Sequence, residues 1–98
     1  GIVDFVHIVF AGDLGGNYIP NAIWPHQGYM QGILRDWVWI SKYIITSELS
    51  YDQYASIGTV CHEMGHAFGA PDFYDRNDKK TGGDFIGTGR WDLMANGD

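Results

Sequence analysis

β-Branched and aromatic side chains crowd the opening stretch GIVDFVHIVFAG, residues 1–12, which reads as a buried strand closing at Ala11-Gly12. Residues 12–36 then hold no sustained period of 2 or 3.6, and with Pro20, Pro25 and five glycines they read as a long excursion loop containing one short strand. Apolar and β-branched positions return in WVWISKYIITSEL, residues 37–49, as one or two strands. From about residue 53 to 68 the period becomes helical. Ile57, Cys61, Met64 and Phe68 recur at spacings of four, three and four, an apolar stripe predicted to face the core. Asp52, or Ser50 before it, is the predicted N-cap. Gly58 and Gly65 lie inside this helix, where each costs about 1 kcal/mol relative to Ala, so their small size implies close packing against another segment. Gly69 and Pro71 end it, the glycine in left-handed conformation and the proline forbidding continuation. The polar, glycine-rich remainder reads as loop and turn, with one short strand near Phe85-Ile86.

A chain of 98 residues has room for a single domain, and its 45% hydrophobic and 15% aromatic content is that of a folded chain. The net charge of −6 has the wrong sign for binding a phosphate backbone, which argues against nucleic acid as a partner. Cys61, the single cysteine, excludes an internal disulfide and any zinc site built on several thiolates. The most apolar run is broken by Asp4 and His7 and is too short to span a bilayer, so no integral membrane segment is expected.

The chemistry concentrates in HEMGHAFGAPD, residues 62–72. His62 and His66 stand four residues apart on one helix face, with Cβ atoms roughly 6 Å apart, so both imidazoles can reach one ion. Glu63 lies about 100° around the helix, too far aside to be a third ligand and well placed to act as a base on a water at the same ion. Because the helix stops at Gly69 and the chain reverses through Ala70-Pro71, Asp72 can return beneath the ion as third ligand. Two imidazoles, one carboxylate and an open position make up a catalytic rather than a structural zinc site.

The run His62-Glu63-x-x-His66-x-x-Gly69-x-x-Asp72 resembles the elongated zinc motif of metzincin-type metallopeptidases, in the variant with Asp as third ligand. CHEMGHAFGAPDFYD followed by GRWDLMANG is similar to the immune-inhibitor-A-like, M6-type peptidases, as are IVDFVHIVFAG and NAIWPHQ upstream. The resemblance implies an α+β fold with a metzincin or zincin-like core: a small twisted sheet, one active-site helix, and a methionine turn at Met94. The helix that backs the sheet in such domains, and the one after the methionine turn, are not legible, so a single, partial catalytic domain over residues 1–98 is expected. It further implies a zinc-dependent endopeptidase acting on protein or peptide substrates, secreted or displayed at the cell surface.

In that reading Glu63 is the general base, and Tyr74 the nearest candidate for a second electrophile at the oxyanion. A substrate strand is expected to add beside KYIITSEL, residues 42–49. Asp75, Asn77, Asp78 and Asp84 are oxygen donors of the kind calcium takes, although Lys79 excludes an EF-hand loop. His7 and His26 are read as a strand and a loop histidine away from the metal. The rival reading is a truncated, non-catalytic module in which metal only stabilises the fold or a binding surface.

Overall fold

A computed structural model describes residues 1–14, 23–76 and 87–96. The chain builds strands β1 (Val6–Asp13), β2 (His26–Arg35), β3 (Val38–Ser50) and β4 (Gln53–Tyr54), then helix α1 (Ile57–Ala67) and one 3-10 turn (Gly89–Trp91). The sheet order is β1-β3-β2, with β4 paired to the end of β3. β1 runs parallel to β3, from Val6 opposite Tyr43 to Phe10 opposite Ser47. β2 runs antiparallel, from His26 opposite Ile45 to Arg35 opposite Val38. A mixed sheet with one helix against it is an α+β arrangement, as expected.

The long excursion loop predicted for residues 12–36 is, over its second half, the ten-residue strand β2. Its glycines concealed it. A Cβ on Gly28 would sit 2.5 Å from the Tyr43 hydroxyl oxygen, and one on Gly32 would sit 2.0 Å from the Trp39 ring. The glycines are thus strand positions across which aromatic rings of β3 lie flat. The turn joining β2 to β3 was also unmarked in sequence: Asp36 and Trp37 both take positive φ, 48° and 65°, without a glycine.

β3 is the central strand, flanked by β1 and β2. That overturns residues 42–49 as the strand beside which a substrate would add, because their backbone is already paired over most of its length. Among the described residues the largest fully buried side chains, Ile44 and Thr46, belong to this strand.

The helix starts later than predicted. Tyr51 and Asp52 form a turn at φ 52° and 60°, and their N–H groups donate to the Asp13 carboxylate at 2.9 and 2.8 Å. Asp52 is therefore spent in a hairpin, and Ser56 caps the helix by accepting from Thr59 N. The apolar stripe also differs from expectation. Ile57 and Phe68 are 74% and 68% exposed, whereas the buried helix positions are Gly58, Glu63 and Ala67. Small residues let α1 lie close on β3 and β2, so that Lys42 Nζ donates to the Ala67 carbonyl at 3.2 Å. Phe68 keeps only an edge-on contact with Phe5, with ring centroids 5.5 Å apart. The short strand read at Phe85-Ile86 and the oxygen donors Asn77, Asp78 and Asp84 lie outside the described residues.

Candidate metal centre

The C-terminal end of α1 closes as the sequence predicts. Gly69 takes φ 96°, its N–H donates to the His66 carbonyl at 2.9 Å, and Ala70 N–H donates to the Gly65 carbonyl at 2.9 Å, the paired bonds of a Schellman stop. This reversal does two things at once. It carries Asp72 back toward the helix face, and it aims the Ala70 carbonyl at His66, whose Nδ1 donates to it at 2.8 Å. On the other ring, His62 Nδ1 donates to the Leu93 carbonyl at 2.6 Å.

A carbonyl can only accept, so both Nδ1 atoms carry protons and both Nε2 atoms of the neutral rings present lone pairs. The two Nε2 atoms lie 3.1 Å apart, and Asp72 Oδ1 is 3.2 Å from that of His62 and 3.1 Å from that of His66. Asp72 Oδ1 is buried and takes no hydrogen bond. With both rings neutral, three acceptors face one another with no proton to share, an arrangement that repels itself unless a cation lies among them. Their spacing is near the roughly 3.3 Å edge of a tetrahedron with ~2.0–2.1 Å bonds, as nitrogen and oxygen form with zinc. His62, His66 and Asp72 form the group of potential metal ligands among the described residues, and they fit a small divalent cation.

The carboxylate's other oxygen is treated differently. Asp72 Oδ2 lies 3.1 Å from an Arg76 guanidinium nitrogen, and the Tyr74 hydroxyl stands near the same carboxylate. Partial burial, followed by the neighbouring Asp72 carboxylate, pushes the Tyr74 hydroxyl above its ordinary range. The Tyr74 ring stacks on His62, with centroids 6.4 Å apart and planes 20° apart. Tyr74, named from sequence as an oxyanion partner, thus stands against two candidate ligands, its ring on His62 and its hydroxyl toward Asp72.

Glu63 is 7% exposed and lines a hollow with His62, Tyr74, Trp24 and Pro25. Burial pushes its carboxyl above the ordinary value, opposed by the positive charge His62 and His66 would carry if protonated. Met94 is buried beneath the helix; a Cβ on Gly65 would meet its sulfur at 2.3 Å, which explains a glycine at that helix position. Its carbonyl accepts from Phe73 N–H at 2.8 Å, tying the segment after the helix to the segment around Met94.

His7 bonds Thr46 at 2.9 Å, away from this centre, in keeping with its reading as a strand histidine. His26 begins β2 rather than lying in a loop, and it borders the hollow that also holds His62, Glu63, His66 and Asp72. Its Nδ1 donates to the Trp24 carbonyl, and its Nε2 meets the Tyr43 hydroxyl. Sequence reasoning missed Arg76, because a spacing of four from Asp72 pairs side chains on a helix and this segment is not one. It also missed the Ala70 and Leu93 carbonyls, which as backbone groups leave no residue-type signal.

Comparison with curated proteins finds no significant match. The sequence model of the family described as immune inhibitor A peptidase M6, catalytic domain, matches residues 1–98, and the chain belongs to that family.

Proposed function

We propose that the protein is a zinc-dependent endopeptidase that hydrolyses peptide bonds of protein substrates. The observation that carries the reading is the trio His62 Nε2, His66 Nε2 and Asp72 Oδ1, packed at 3.1–3.2 Å, with Glu63 bordering the same hollow. When bound there, zinc supplies a Lewis acid for the substrate carbonyl and lowers the pKa of water toward 7.

His62 and His66 hold their Nε2 lone pairs inward because the Leu93 and Ala70 carbonyls fix the Nδ1 protons. Glu63, one residue along the helix from the first ligand, accepts a proton from the attacking water on its carboxylate and returns it to the leaving amine nitrogen. Its seclusion from solvent raises its basicity for that task. A substrate strand is proposed to add beside β2, an outer strand of the sheet on which α1 packs and whose first residues, His26 and Gln27, border the ligand hollow. Met94 would form the floor under the ligands, as a methionine turn does. Family membership favours a secreted or cell-surface setting.

The test is Glu63→Gln. It should retain one zinc per chain by elemental analysis while cleavage of an unfolded protein substrate drops to background. Undiminished cleavage would remove Glu63 from the mechanism. Stoichiometric zinc in a wild-type chain that cleaves nothing would favour the non-catalytic, metal-stabilised module instead.

A further inference from the structure

We propose that Arg76 is a positioning residue that restricts Asp72 to one-oxygen ligation, keeping the second carboxylate oxygen away from the ion. The inference rests on the zinc reading and concerns what preserves the open coordination position. Asp72 has its two oxygens in opposite circumstances: Oδ1 is buried, bare of hydrogen bonds and turned to both imidazoles, whereas Oδ2 is 3.1 Å from the guanidinium. The Tyr74 hydroxyl stands near the same carboxylate. The terminal torsion of an aspartate is soft and roughly two-fold, so without an outside anchor the second oxygen can swing toward whatever the first one binds. A carboxylate holding zinc through both oxygens would add a fifth ligand beside the water and crowd the position that the substrate carbonyl must take.

A merely structural ion pair is the competing account, and the geometry bears on it. The Arg76 side chain is 73% exposed although that of Asp72 is only 5% exposed, so water screens the guanidinium end of the pair and limits what it adds to folding. Stability is therefore the wrong place to look for its effect. The coordination number of the ion is the right one, since a fixed planar donor opposite Oδ2 acts on orientation even where it adds little energy.

Cobalt(II) in place of zinc reports coordination number through the intensity of its visible bands, strong for four ligands and several-fold weaker for five. In cobalt-loaded Arg76→Met the bands should weaken several-fold relative to wild type, and Arg76→Lys should restore part of the intensity. In the zinc forms kcat should fall roughly 10–100-fold in Arg76→Met, the usual size of losses from groups behind a ligand, with KM little changed. Identical cobalt spectra in wild type and Arg76→Met would overturn the proposal. So would an unchanged spectrum with KM raised for acidic peptides alone, which would make Arg76 a reader of substrate charge. A wild-type chain that takes up no cobalt or zinc would overturn the metal reading itself, a separate result from full uptake with matching spectra. Circular dichroism of both variants checks the fold, and Arg76→Gln serves if Arg76→Met does not fold.

Discussion

Asp72 is the residue in which local geometry and chemistry are most tightly joined. Its Oδ1 atom is buried without a hydrogen bond, and such an atom forfeits about 1–3 kcal/mol of solvation unless something replaces the water. Two imidazole lone pairs cannot replace it, since all three atoms are acceptors. A cation can, and the two states of the protein should therefore respond differently to Asp72→Asn. The neutral amide is a poorer ligand, so zinc affinity measured by competition with a chromophoric chelator should fall by more than the roughly 10–100-fold that removal of groups behind a ligand produces. The metal-free protein loses a repulsive charge and an ion pair that is exposed at its Arg76 end, terms that largely offset, so its melting temperature should hardly move. Unaltered zinc affinity would remove Asp72 from the ligand set.

Helix α1 shows how packing and ligand orientation are coupled within one element. Gly65→Ala gains up to about 1 kcal/mol of helix propensity, yet the new methyl would lie 2.3 Å from the Met94 sulfur. The end of a methionine can move, but Met94 is only 7% exposed, and the Leu93 carbonyl beside it fixes the His62 ring. Gly65→Ala should therefore weaken zinc binding roughly 10–100-fold while changing the stability of the zinc-free chain by no more than about 1 kcal/mol. Adding Met94→Ala should recover much of the affinity by removing the obstacle; a Gly65→Ala protein with normal affinity would show that Met94 yields without disturbing His62. The same element separates what its sequence displays from what it hides. The histidine spacing and the Gly69 stop are local properties, written in neighbouring residues, and both were legible. The helix start was not, because Asp13, nearly forty residues upstream, takes the N–H groups of Tyr51 and Asp52 and turns the chain there. The apolar stripe misled because burial of α1 is decided by how closely the sheet can approach, which favours Gly58 and Ala67 over Ile57 and Phe68. Strand β2 was hidden for a related reason: its glycines read as loop until the Tyr43 and Trp39 rings above them are known.

Across the whole molecule, the centre joins the segments that follow α1 to the helix. Among the described residues the largest fully buried side chains are Ile44 and Thr46, both in β3 and neither close in sequence to the ligands. Phe73 N to the Met94 carbonyl and Thr88 N to the Phe73 carbonyl tie the residues after α1 to those around Met94, and His62 Nδ1 to the Leu93 carbonyl ties the latter to the helix. An ion bound by His62, His66 and Asp72 would cross-link the helix to the first of these segments directly and to the second through His62. Metal removal should consequently loosen one region of the protein more than another. At free zinc a hundred times its dissociation constant the bound ion adds ~2.7 kcal/mol, which in a domain of this size is a melting shift of roughly 10–20 °C. Chelation should reverse that shift. Hydrogen exchange should locate it, with the Phe73 and Thr88 amides becoming fast on chelation while those of Ile44 and Ile45 in the sheet stay protected. Uniform acceleration through β3 and the post-helix segments alike would mean instead that the ion stabilises the fold as one unit and that the two segments have no separate dependence on it.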